Sequence, residues 1–210
     1  MKLDPEWKKF FFAFLTIAGF CAMTTSVVGY ILCGVFIFIA LFSIYFFRDP
    51  ERKVPNDESS ILSPADGVVV TVAEFDDDRL GQCIRIGIFM SLFDVHVNRS
   101  PFAGMVESLD YREGSFKHAA GEEAFENNER MIIDIDGGGV KVRVMQIAGM
   151  IARRVVCRLE VGQELYRGEK IGIIRFGSRL EVFVPANKAI ATVKTGERVF
   201  CGETPIAKLR

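Results

Sequence analysis

The chain has two histidines in 210 residues, so imidazole acid–base chemistry near neutral pH falls to His96 or His118. His96 lies in Phe93-Asp94-Val95-His96-Val97-Asn98-Arg99-Ser100-Pro101, and His118 in Ser115-Phe116-Lys117-His118-Ala119-Ala120-Gly121. A hydroxyl and a carboxylate complete the set: Ser178 in Arg175-Phe176-Gly177-Ser178-Arg179, and Asp66 in Ser63-Pro64-Ala65-Asp66-Gly67. Each also has an ordinary reading. A lone histidine in β text is a hydrogen-bonded or surface residue, Asp-Gly ahead of a valine run is a good turn, and Ser178 fits a turn between strands. A Ser–His–Asp hydrolase built on Ser178 is one chemical reading. It lacks the G-x-S-x-G elbow, and its serine opens the last 33 residues of the chain. Arg153-Arg154 suits a phosphate or carboxylate through paired hydrogen bonds, and equally a solvated strand edge.

The elements that must position these residues read as β. Val68-Val69-Val70, Ile84 to Phe89, Met131 to Ile135, Val140 to Met145 and Ile171 to Ile174 are short β-branched runs bounded by Gly, Asp or Pro. Asp136-Gly137-Gly138-Gly139 reads as a hairpin turn, and Phe116 to Arg130 as a loop with some helix. Gly162-Gln163-Glu164-Leu165-Tyr166-Arg167-Gly168-Glu169 is echoed 34 positions later by Gly196-Glu197-Arg198-Val199-Phe200-Cys201-Gly202-Glu203. Paired glycines around an apolar pair fit a strand entering and leaving tight turns. The echo resembles the turn pattern of barrel-sandwich hybrid folds, which include lipoyl and biotinyl carrier domains. The expected fold is mainly β, a compact two-sheet barrel-sandwich-hybrid-like domain over residues 61–210. No long helical period follows Arg48, which argues against a doubly wound α/β sheet.

Ahead of it, Phe10 to Phe47 is a run of 38 residues without Asp, Glu, Lys, Arg or His. As one helix it would measure roughly 57 Å, against a hydrocarbon core of about 30 Å. Two shorter helices fit that length, with the turn at Thr24, Thr25, Ser26 and Gly29. Lys2, Lys8 and Lys9 precede the run and Arg48, Arg52 and Lys53 follow it. Positive charge at both ends predicts a hairpin with both ends cytoplasmic; a single span is the alternative, and a cleaved signal peptide lacks its small-residue site. Residues 1–47 are thus expected to anchor the chain, with a linker over 48–60. A net charge of −1 argues against a nucleic-acid partner. Five cysteines without a C-x-x-C pair read as reduced thiols, and no metal-ligand spacing is present.

Ser-Pro-Ala-Asp-Gly, Phe-Asp-Val-His-Val-Asn-Arg-Ser-Pro, Asn128-Glu129-Arg130 and Phe-Gly-Ser-Arg, in that order, resemble the motifs of the phosphatidylserine decarboxylase family. Phe46-Phe47-Arg48-Asp49-Pro50 resembles the junction of its short membrane-bound subgroup. The resemblance implies self-cleavage between Gly177 and Ser178 into chains 1–177 and 178–210, driven by Asp66, His96 and Ser178. In such a triad the imidazole takes the hydroxyl proton and the carboxylate fixes its tautomer. Ser178 would exchange the Gly177 peptide bond for an ester. Elimination and hydrolysis would then leave a pyruvoyl group at 178, which accepts the amine of phosphatidylserine as a Schiff base and yields phosphatidylethanolamine. The implied partners are that lipid in the membrane and the two cleaved chains as a heterodimer, with a homo-oligomer also open. The catalytic domain would lie on the cytoplasmic side. Many longer members carry a second histidine where this chain has Arg99, so His96 would serve both cleavage and decarboxylation, or His118 would enter the site. His118, Arg153 and Arg154 are the candidate substrate contacts. The rival reading is a non-enzymatic membrane adaptor with a lipoyl-like β domain.

Overall fold

The computed structural model describes residues 2–117, 119, 121–150, 154–175 and 177–210. They form two compact units, one up to Glu51 and one over Arg52–Arg210.

The first unit is a helical hairpin. β1 (Lys2–Leu3) leads into α1 (Trp7–Met23), and α2 (Val27–Phe46) leads into β2 (Arg48–Asp49). Thr25, at φ 50°, makes the turn, and the Ser26 hydroxyl caps α2 by accepting from the Gly29 amide at 3.0 Å. Phe14 stacks on Phe36 and Phe10 on Phe47, so the helices run antiparallel. β1 pairs with β2 and closes the base. At about 1.5 Å per residue α2 spans about 30 Å, the thickness of a hydrocarbon core. Its mean hydropathy is 2.7, and it is the one described helix long and apolar enough to cross a bilayer. The split of the apolar run into two helices at Thr24–Ser26 follows the sequence expectation.

The second unit is mainly β, as expected. Its elements are β3 (Ser60–Leu62), β4 (Gly67–Asp77), β5 (Gly81–Met90), β6 (Val97–Arg99), β7 (Gly104–Arg112), α3 (Glu122–Asn127), β8 (Arg130–Asp136) and β9 (Lys141–Ile147). There follow β10 (Val155–Cys157), β11 (Glu164–Leu165), β12 (Lys170–Ile174), β13 (Ser178–Pro185), β14 (Ala189–Ala191), β15 (Arg198–Val199) and β16 (Pro205–Leu209). An eight-stranded antiparallel sheet in the order β11-β7-β8-β9-β13-β5-β4-β15 is accompanied by two three-stranded sheets, β10-β12-β6 and β14-β16-β3. The inner face of the large sheet takes the alternating apolar residues: Ile86 and Ile88 from β5, Val142 and Val144 from β9, Leu180, Val182 and Val184 from β13. Each such side chain contributes roughly 1.5–3 kcal/mol on burial.

The unit is two copies of one seven-strand motif. Ser63, Gly67 and Val69 recur 37 positions later as Ser100, Gly104 and Val106. Both serine hydroxyls donate to the carbonyl two residues ahead, of Ala65 and Phe102, at 2.6 Å. Both valine strands slip register at the same place, between Val69 and Thr71 and between Val106 and Ser108. The glycine echo closes each copy: Gly162 and Gly196 donate to the carbonyls of Val106 and Val69, and Gly168 and Gly202 to those of Ser100 and Ser63. The copy β6–β12 is inserted into the other between β5 and β13. Ser178 begins the strand that returns from that insertion.

Candidate active site

Gly177 enters β13 at φ 68°, in the left-handed region where a Cβ is strained. Among the described residues no atom crowds the place a Cβ would take, so the backbone angle asks for glycine. Ser178 pairs with Met90 and Leu180 with Ile88, so strand alternation turns Ser178 to the inner face with Leu180. It is fully buried, and among the described residues its hydroxyl has no hydrogen-bond partner. An unpaired buried hydroxyl costs about 1–3 kcal/mol, and native proteins keep such groups chiefly where they do something.

His96 is also fully buried, just ahead of β6. Its carbonyl accepts from the Ile174 amide, which ties it to β12 immediately before the turn into Ser178. Nδ1 lies 3.0 Å from the Asp94 carbonyl oxygen and Nε2 lies 3.4 Å from the Gly177 amide nitrogen. A carbonyl can only accept, so Nδ1 carries the proton and the Nε2 lone pair faces the Gly177 N–H. The tautomer the chemistry needs is therefore held by a backbone carbonyl. Asp94 is itself fixed: its carboxylate accepts from the Ser91 amide and hydroxyl and pairs with Arg198.

Asp66 is buried in the turn between β3 and β4. Both its oxygens lie 2.8 Å from Arg52 Nη2, and Oδ1 accepts from the Cys201 amide at 2.7 Å. Burial lowers the Arg52 guanidinium, but the hydrogen bonds and charge of Asp66 outweigh it and hold it above its ordinary value. Arg52 is thus buried against Asp66. Cys201 Sγ reaches the Pro64 and Val97 carbonyls, at 3.2 and 3.5 Å, and so joins the Asp66 turn to the strand that follows His96. Burial, with the Asp66 charge adding to it, pushes that thiol up to about 12. The internal repeat answers the ordinary reading of Asp66. The matching turn in the other copy has Ala103 in this place, so the turn does not need a carboxylate.

Behind Ser178, on the outer face, the neighbouring side chain is a fully buried arginine. Arg179 donates to Glu181, which is also fully buried, and to Thr71 and Glu122 at 2.8 and 3.0 Å. Arg85 joins the same cluster through Glu181 and Glu122, at 3.1 and 2.9 Å. A Cβ on Gly87 would lie 2.8 Å from both Arg179 and Glu181, so this glycine makes room for the pair. Burial raises the Glu122 carboxyl, but Arg85 and Arg179 outweigh that and hold it below its ordinary value. The cluster pins the backbone next to Ser178 on the strand side.

A largely apolar cavity of about 250 Å³ opens at Gly177, lined by Phe89, Leu92, Phe93 and Met150. Phe93 and Met150 are more than half exposed at its rim. Arg154 is exposed and its carbonyl accepts from the Arg175 amide. His118 and Arg153 lie outside the described residues. Asn128 is a structural clip, donating to the Lys117 and Ala148 carbonyls. Among the described residues no group of His, Cys, Asp and Glu is placed to hold a metal ion.

Asp94, Asn98, Gln146 and the Arg179–Glu181 pair were not singled out from the sequence, although each left a signal. Asp94, His96 and Asn98 share one phase of an extended segment, Gln146 breaks the apolar phase of Val142 and Val144, and Arg179 and Glu181 alternate with Leu180 and Val182.

The class these features define is a β protein with a serine–imidazole pair gathered around a Gly–Ser peptide bond, preceded by an apolar helical hairpin. The family model for phosphatidylserine decarboxylase matches residues 39–207. A phosphatidylserine decarboxylase proenzyme of Carboxydothermus hydrogenoformans is 41% identical over 202 residues, covering 95% of this chain and 94% of that protein. The proenzymes of Oleidesulfovibrio alaskensis and Desulfotalea psychrophila are 43% and 40% identical, each over 91% of this chain and 90% and 92% of their own. The chain belongs to the phosphatidylserine decarboxylase family.

Proposed function

We propose that this chain is a phosphatidylserine decarboxylase that cuts itself between Gly177 and Ser178 and converts Ser178 to a pyruvoyl group. The observation that carries the reading is the His96 Nε2 lone pair at the Gly177 N–H, beside a buried Ser178 hydroxyl with no partner among the described residues. Ser178 Oγ attacks the Gly177 carbonyl and its proton passes to His96 Nε2. His96 then returns that proton to the amide nitrogen of residue 178 as the C–N bond breaks, leaving an ester. Loss of the residue 178 α-proton expels the Gly177 carboxylate, and water replaces the nitrogen as ammonia. Asp66 is bonded to Arg52 and Cys201, and its proposed support of His96 is indirect, through the Cys201 thiol that bridges its turn to Val97.

The surroundings fit a pyruvoyl group. The position is small, faces inward, and adjoins a cavity whose walls suit a lipid. When bound to substrate the group supplies the electron sink that ordinary side chains lack. His96 remains beside it as the candidate proton donor in decarboxylation, and Arg154, with His118 and Arg153, is proposed to meet the substrate phosphate or carboxylate. The cut chains stay together because β13 is a central strand. It pairs over Ser178–Pro185 with β5 and over Arg179–Phe183 with β9.

The test of activity is direct: protein purified in detergent should release carbon dioxide from carboxyl-labelled phosphatidylserine and form phosphatidylethanolamine. A folded, cut enzyme that leaves this lipid unchanged contradicts the reading. Basic residues at both ends of the apolar run support a catalytic unit on the cytoplasmic side. Protease added to inverted membrane vesicles should therefore digest residues 52–210, and protease added to right-side-out vesicles should not. The reverse pattern rules out that orientation.

A further inference from the structure

We propose that Gln146, braced by Asn98, is the positioning residue that holds the Ser178 hydroxyl ready for attack on Gly177. The inference rests on the cleavage reading above. Gln146 lies on β9 opposite Leu180 of β13, one diagonal step from Ser178 and on the same inner face. Diagonal neighbours stand about 7–8 Å apart, within reach of a long side chain. Gln146 is fully buried in the phase otherwise filled by Val142 and Val144. Its Nε2 donates to Asn98 Oδ1 at 2.8 Å, and Asn98 Nδ2 in turn contacts Met90 Sδ at 3.7 Å. Met90 is the register partner of Ser178, so the amide pair is anchored at the serine's own rung.

Gln146 Oε1 and Ser178 Oγ are both buried, and among the described residues neither has a hydrogen-bond partner. One can only accept and the other can donate, so each supplies what the other lacks. His96 Nε2 is meanwhile engaged by the Gly177 N–H. In the uncut chain the hydroxyl therefore needs a different acceptor, and among the described residues Gln146 Oε1 is the unpaired buried acceptor on its face of the sheet. Held there, Oγ keeps its lone pairs for the Gly177 carbonyl. As the Oγ–C bond forms, its proton becomes acidic and passes to His96. An apolar side chain would pack this position without leaving a buried carbonyl unpaired, so the glutamine is not explained by packing.

The test follows cleavage of freshly synthesised full-length chain by mass, beside thermal unfolding of the same variants. Gln146→Met should cleave about ten-fold or more slowly, because the nucleophile loses its fixed rotamer, while melting no lower than wild type. Gln146→Glu keeps an acceptor oxygen. It should cleave within about three-fold of wild type at high pH and slow as the introduced carboxyl is protonated, a limb absent from the wild-type profile. Wild-type cleavage by the Met variant overturns the proposal, as does a Glu variant that is no faster than the Met variant at any pH. If the wild-type chain itself stays whole, the cleavage reading fails first and this one with it.

Discussion

A Ser178→Ala chain is expected to remain a single polypeptide of 210 residues and to release no carbon dioxide from phosphatidylserine. The substitution removes one oxygen that has no hydrogen-bond partner among the described residues, so the fold should tolerate it and is not the cause of the loss. Its removal should cost at most the one hydrogen bond proposed to Gln146, about 1.5 kcal/mol or less. His96→Ala should act at the same step with a residual rate, since general acid–base help is worth about 10²–10⁴-fold. The order matters: the alanine at 178 cannot be rescued, whereas the His96 variant should show a trace of slow cleavage. If Ser178→Ala chain is cut at the same bond, the hydroxyl is not the nucleophile. If the His96 variant is cut at the wild-type rate and decarboxylates normally, the imidazole has neither of the roles given to it.

Glu181→Leu carries the largest expected loss of stability. It would leave Arg179 and Arg85 facing one another, with Glu122 as their remaining shared carboxylate, and the Glu122 side chain is 60% exposed. Breaking a buried pair from one side typically costs about 3–5 kcal/mol. Urea unfolding of the uncleavable Ser178→Ala chain, with and without Glu181→Leu, measures the difference without interference from the cut. Adding Arg179→Met to the Leu variant should recover much of it, because an apolar pair replaces the stranded charge. A Glu181→Leu loss below about 1 kcal/mol, the size of an exposed pair, would mean that water reaches the cluster and that it does not clamp the strand next to Ser178.

Much of this was legible in the residues themselves. The β-branched runs, the Asp136–Gly139 turn and the two-helix division of the apolar run depend on local pattern, and local pattern is what a sequence displays. The glycine echo also pointed to a repeated turn, and the structure extends it to a whole inserted copy. That larger repeat was hidden because few residues, among them Ser63 with Ser100, Gly67 with Gly104 and Val69 with Val106, are retained between copies. The site was legible as motifs but not as contacts. Nothing in the spacing of Asp66 and Arg52, or of Gln146 and Asn98, reveals that they meet, since those contacts depend on how separate turns and strands pack rather than on local pattern. The Asp94 carbonyl that sets the His96 tautomer is a main-chain group, and its role depends on loop shape rather than residue type.

The central claim is that this chain makes its own electrophile at residue 178. Intact mass of the wild-type protein, expressed in membranes and purified in detergent, tests it most directly. The account predicts two species, residues 1–177 with a plain carboxyl end and residues 178–210 lighter than the plain sequence by one ammonia. A folded wild-type preparation that remains one whole chain, or a small chain that keeps an ordinary serine at its amino end, would contradict it.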